Sequence, residues 1–120
     1  MANPVTHFEI HGRDAKKTRD FYASLFGWEI DANNPMDYGM VSAQGGQGIG
    51  GGIAAAQAEP MVTIYVDVAD LDATLKQAEE LGGKTIMPAT PVPGGPKLAQ
   101  FADPDGNLIG LTEAGSMPTS

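Results

Sequence analysis

Cysteine is absent from the 120 residues, which removes disulfides, thiolate-held zinc and any thiol nucleophile, and fits a reducing compartment. Basic residues are scarce. Seven lysines and arginines stand against fifteen aspartates and glutamates, and the formal charge of −8 repels phosphate backbones, so no nucleic acid is expected as a partner. No apolar run approaches the roughly twenty residues that cross a bilayer, and Met-Ala-Asn-Pro-Val-Thr-His at the start has no basic segment leading into an apolar one. The expectation is a soluble, cytoplasmic protein with no membrane partner. A chain of this length has the size of one ordinary domain, residues 1–120.

What is there is there twice. Displacing the chain by 56 positions lays Asp14 on Asp70, Leu25 on Leu81, Gly27 on Gly83 and Ile30 on Ile86. Module one, residues 1–56, opens with Val5-Thr-His-Phe-Glu-Ile-His11, whose alternation puts Phe8 and Ile10 on one face of a strand and His7, Glu9 and His11 on the other. Asp14 is a good N-cap, Thr18, Phe21, Tyr22 and Leu25 follow at helical spacing, and Gly27 ends the helix. Trp28–Asp31, Tyr38–Ala43 and a glycine-rich run ending at Ile53 read as three short strands, the first two parted by the turn residues Asn33-Asn34-Pro35.

After a linker, Ala54 to Pro60, module two occupies residues 57–113. Met61–Val68 is a strand with Val62, Ile64, Val66 and Val68 on its packing face and Thr63, Tyr65 and Asp67 on the other. Asp70 caps a helix with Leu71, Leu75, Ala78 and Leu81 on its apolar stripe. Strands follow at Lys84–Met87, Leu98–Ala102 and Asn107–Glu113. A proline-rich loop at Pro88–Pro96 is read as a lid or a connection, Asp103-Pro104-Asp105-Gly106 as a type I turn, and residues 114–120 as a frayed tail. The expected fold is α+β: two βαβββ modules forming a curved mixed-sheet cup, with helices near residues 14–26 and 70–82.

Gly46-Gln-Gly48-Ile-Gly-Gly51 matches a dinucleotide fingerprint in form, but no crossover helix fits between it and the strand after Pro60, so no nucleotide cofactor is expected. Val5-Thr-His-Phe-Glu-Ile, Phe21-Tyr-Ala-Ser-Leu-Phe-Gly-Trp28, Val62 to Asp70, Leu81-Gly-Gly83 and Phe101-Ala-Asp-Pro-Asp-Gly-Asn-Leu-Ile-Gly-Leu111 together resemble the vicinal oxygen chelate superfamily, which includes glyoxalase I, extradiol dioxygenases and bleomycin-resistance proteins. The likeness covers essentially the whole chain and is strongest to the small glyoxalase-like members.

The resemblance implies metal ligands on the first and last strands of each module. These positions fall on His7, Thr63, Gly110 and either Gly51 or Gly52, so only one carries a strong donor and no bound metal is expected. Two readings follow: a small-molecule-binding protein, or a glyoxalase-like lyase or isomerase acting on a small carbonyl compound. In the second, His7 serves as acid/base or metal ligand, and His7 and Glu9 are the candidate catalytic pair. The candidate ligand-binding set is His7, Glu9, His11, Thr63, Tyr65 and Asp67 with Tyr38, Met40 and Phe101 as apolar walls. Curved sheets with open edges also predict a homodimer.

Overall fold

The computed structural model describes residues 2–44 and 46–116. The elements run β1 (Val5–Gly12), α1 (Ala15–Phe26), β2 (Ile30–Asp31), β3 (Gly39–Val41), β4 (Gly50–Ala55), β5 (Met61–Val68), α2 (Leu71–Glu80), β6 (Lys84–Pro91), β7 (Lys97–Ala102) and β8 (Leu108–Glu113). This is βαβββ twice over. The chain divides into two compact units, Thr6–Thr63 and the described residues of Met1–Val5 with Ile64–Ser120.

Each unit is a four-stranded mixed sheet with one helix. In the first, β1 pairs in parallel with β4, and β3 lies antiparallel to both β4 and β2. In the second, β5 pairs in parallel with β8, and β7 lies antiparallel to both β8 and β6. The 56-residue offset relates β1 to β5 at both ends and the first residues of the two helices. From β4 to β8 the offset is 58, so Gly52 and Gly110 are equivalent, opposite Glu9 and Tyr65 respectively.

Both helices begin as their caps require. Asp14 accepts the Lys17 amide at 3.1 Å and Asp70 the Ala73 amide at 3.1 Å, each removing one orphan donor from a first turn. Gly27 ends α1 in the left-handed conformation, φ 72°.

The second unit has the better-sealed core. Val68, Leu71, Leu75, Ala99 and Leu111 form it, with Val66, Ala89 and Phe101 packed alongside. In the first unit Ile53 and Val41 are buried and aromatic rings do the rest: Trp28 lies against Phe8, Tyr22 and Phe26 at centroid distances of 5.5, 5.6 and 5.2 Å.

Several local expectations need correction. Phe21 and Leu25, expected on the inward stripe of α1, are exposed. Thr18 instead sits over Gly12, and the Arg19 stem crosses Gly39, where a β-carbon would come within 2.5 Å of its Cδ. Val62 is exposed because the core reaches β5 only at Val66 and Val68, whereas Thr63 and Tyr65 are buried. Ala54 and Ala55 extend β4 rather than starting a linker.

The proline-rich segment is strand as far as Pro91. Its register against β7 shifts between Thr85 and Met87 and again between Met87 and Thr90, which is how a strand at a sheet margin absorbs Pro88. Residues 114–116 are tied back: the Ala114 amide donates to the Val68 carbonyl at 2.7 Å and the Lys97 amide to Ser116 Oγ at 2.9 Å. The remainder of the expected frayed tail, 117–120, lies outside the described residues. At the other end, the Asp67 amide donates to the Pro4 carbonyl at 2.9 Å.

Replacing either cap, Asp14→Ala or Asp70→Ala, is expected to cost about 1 kcal/mol. Urea unfolding should report it as a lower midpoint at unchanged slope.

Candidate functional site

Strand alternation sends His7, Glu9 and His11 to one side of β1, and a fourth side chain joins them from the segment before β3. The Tyr38 hydroxyl donates to Glu9 Oε2 at 2.9 Å and lies 2.7 Å from His7 Nε2. A phenol has one proton to give. With that proton on the carboxylate, His7 Nε2 is the donor to the phenol oxygen, which fixes the tautomer of a neutral imidazole as Nε2–H. His11 Nε2 donates to the other carboxylate oxygen, Oε1, at 2.7 Å. The row therefore reads His7, Tyr38, Glu9, His11, all half-buried.

Burial is the largest influence on the Glu9 carboxyl and acts to raise its pKa. Hydrogen bonds from His7, His11 and Tyr38 and the charge of His11 outweigh it, and hold the group below its ordinary value.

Tyr38 is held as firmly as what it holds. Asn34 grips its backbone from both sides: the Tyr38 amide donates to Asn34 Oδ1 at 2.9 Å, and Asn34 Nδ2 donates to the Tyr38 carbonyl at 2.6 Å. Next to it Asp37 adopts φ 53°, with its carboxylate 3.4 Å from the Arg19 guanidinium, whose side chain is only 14% exposed. The ring then needs room. Gly52 supplies it, since a β-carbon there would lie 1.7 Å from the Tyr38 hydroxyl oxygen. A β-carbon at Gly51 would instead point to the other side of β4 and come 2.5 Å from the Phe8 ring.

The second unit repeats the motif with different parts. The Tyr65 ring crosses Gly110, where a β-carbon would come within 2.3 Å of it, and Gln100 Nε2 donates to the Tyr65 hydroxyl at 3.2 Å. Thr112 Oγ1 donates to Asp67 Oδ1 at 2.9 Å.

Of the residues expected in a site, His7, Glu9, His11 and Tyr38 are thus brought into one bonded row, and Met40, opposite Gly52 in register, shares its side of the sheet. Tyr38 joins through its hydroxyl, not as an apolar wall. Tyr65 and Asp67 have their own partners in the other unit, and Thr63 is buried. Phe101 packs with Val66 and Leu111 on the α2 side of its sheet, whereas Gln100 shares the side of Tyr65. Asn34, Arg19 and Gln100 are the supporting residues that alternation did not identify.

The donor set does not suit a divalent metal of the kind the resemblance implies. Glycine at 52 and 110 offers no side chain, and tyrosine rings fill the space where one would project. His7 and His11 lie on the sides of opposite oxygens of a single carboxylate, 3.8 Å and 2.7 Å from them, so they do not converge on a point. Among the described residues no three His, Cys, Asp or Glu side chains are grouped to hold an ion.

A duplicated βαβββ fold with a polar row on the first strand of its first module defines a glyoxalase-type protein. The chain belongs to the Glyoxalase/Bleomycin resistance protein/Dioxygenase superfamily, whose family model matches residues 5–111. It is 28% identical over 116 residues to the "Putative glyoxylase CFP32" of Mycobacterium bovis, covering 88% of this chain and 44% of that protein. It is 27% identical over 128 residues to the anthracycline biosynthesis protein DauV of Streptomyces sp. strain C5, covering 92% and 46%. The chain therefore spans a little under half the length of these relatives. The crystal structure of the hypothetical protein BH1468 from Bacillus halodurans superposes over 100% of both chains with a TM-score of 0.70 at 14% identity, a likeness of fold alone.

Because the Glu9 carboxyl is held below its ordinary value of 4.5, the stability it contributes is complete above that pH and is lost as the pH falls through the lower folded value. Thermal melts from about pH 7 to about pH 3 should therefore fall more steeply for the wild type than for Glu9→Gln, the two curves converging in acid. Parallel curves would show that Glu9 carries no such linkage.

Proposed function

We propose that this chain is a small-molecule-binding protein of the glyoxalase-like kind that engages its ligand through the polar row on β1 without a resident divalent metal. The observation that carries the reading is the Tyr38 hydroxyl linking His7 to Glu9: a phenol 2.7 Å from an imidazole and 2.9 Å from a carboxylate, set on one strand and half-open to solvent. Such a row offers both donors and acceptors, which suits a small polar or aromatic ligand better than a lipid. An aromatic ligand is also in keeping with the anthracycline biosynthesis protein among the relatives. Thr63, Tyr65 and Asp67 are proposed as further ligand contacts, with Phe101 as an apolar wall reached from the core side of its sheet.

A second reading is favoured by the same chain of hydrogen bonds. His7 and Glu9, joined through a phenol, have the parts for metal-free proton transfer next to a carbonyl, in a lyase or isomerase of small carbonyl compounds, in line with the glyoxylase name of a relative. We place the protein in the cytoplasm as a homodimer, its open strand edges and the exposed Phe21, Leu25 and Phe26 of α1 being surface that a two-fold partner can cover.

Screening of small aromatic and carbonyl compounds followed by calorimetry tests the binding reading. His7→Ala and Tyr38→Phe are each expected to weaken the best ligand about tenfold or more, one lost charged or buried hydrogen bond being worth that much. Unchanged affinity in both folded variants would place the ligand elsewhere. Turnover of a carbonyl compound that His7→Ala abolishes would select the second reading. Light scattering at micromolar concentration should return twice the chain mass, and a monomer would remove the dimer.

A further inference from the structure

Glu9 and Gly52 are direct partners across the parallel β1–β4 ladder, and His7 stands two residues before Glu9 on the same side. Side chains at 7, 9 and 52 would thus project together from two hydrogen-bonded strands, with opposite positions separated by about 5 Å at the β-carbon. A carboxylate at 52 would complete a His, Glu, Glu set, a common ligand combination for a divalent ion. Two features stand against it. Residue 52 is glycine, and the Tyr38 hydroxyl occupies the place between His7 Nε2 and Glu9 Oε2, 2.7 Å from one and 2.9 Å from the other, where an ion bridging the pair would sit.

We propose that Tyr38 is a built-in plug that closes a divalent-cation site on β1 and β4, its hydroxyl standing in for the ion and its ring taking the space of the third ligand. The two changes need each other. With Tyr38 in place, any side chain at 52 collides with the phenol, and with Asn34 holding the Tyr38 backbone the phenol cannot step aside without giving up His7 and Glu9. With glycine at 52 and no phenol, a half-buried carboxylate would lose one of its hydrogen-bond donors. The equivalent glycine in the other unit, Gly110, is likewise covered by a tyrosine, and that tyrosine comes from a different element, β5 rather than the segment before β3. Duplication from one ancestral unit therefore does not account for both coverings by descent.

Two measurements on the untagged protein test the plug. In titrations with Zn2+ and with Mn2+, wild type and His7→Ala should behave alike. The double variant Tyr38→Ala/Gly52→Glu should take one ion per chain about tenfold tighter or better, and adding His7→Ala should abolish the gain. A one-ion site in the wild type that His7→Ala removes would overturn the proposal. So would a folded double variant that binds no tighter than the wild type.

The second measurement needs no metal and survives failure of the double variant to fold. Gly52→Ala should lower the wild-type melting temperature by roughly 4 °C or more, yet change it little in the Tyr38→Ala background. Equal shifts in the two backgrounds would show that Tyr38 does not occupy the space above Gly52.

Discussion

A carboxylate can sit half-buried on a sheet only if donors surround it, and most of the first unit's polar architecture follows from meeting that condition for Glu9. Tyr38 and His11 each give a hydrogen to one of its oxygens, and His7 braces the phenol from behind. The demand spreads outward. Tyr38 must be aimed, so Asn34 fixes its backbone and Arg19 fixes the Asp37 turn before it. Arg19 must lie flat to reach that turn, so position 39 is glycine; the phenol must lie flat over β4, so position 52 is glycine as well. Removing the carboxylate would leave the remaining groups without a common acceptor, which makes this a network whose parts are worth more together than singly.

The same condition explains how the chain departs from the metal-binding pattern that its superfamily suggests. A cation and a phenol hydroxyl can both stabilise a charged carboxylate next to an imidazole, but they ask for different neighbours: a cation needs more oxygen or nitrogen donors, whereas a phenol needs space for a ring. Glycine at 52 provides the space and withholds the donor in one substitution.

Much of the fold was legible because its signals are local. The Asp14 and Asp70 caps, the αL glycine at 27, the Asp103 to Gly106 turn and the alternation of β1 all act within a few residues, and each element built on them is where the spacing puts it. His7, Glu9 and His11 were legible for the same reason. What alternation does not give is phase and distance. Whether Phe101 or Gln100 faces inward depends on how β7 is set against β8, and no residue of β7 states it. The link from Tyr38 to Glu9 spans 29 positions and depends on a missing side chain at 52, so a glycine-rich stretch that reads as slack is in fact close packing. Asn33-Asn34-Pro35 did announce a turn, but not that Asn34 would hold a tyrosine. Pro88 misled because proline discourages strands in general, while a marginal strand with shifted register tolerates it.

The pairing of first strand with last in each unit also sets an order of assembly. A parallel ladder between β1 and β4 cannot form until some forty intervening residues have been made, and until then the backbone groups of β1 have no partner on that side. On a ribosome the unit of residues 6–63 can close as soon as β4 emerges, well before β8 exists to close the other. The residues just ahead of β1 do not share that schedule: Pro4 is hydrogen-bonded to Asp67, so a segment synthesised before β1 is fastened only once β5 has followed.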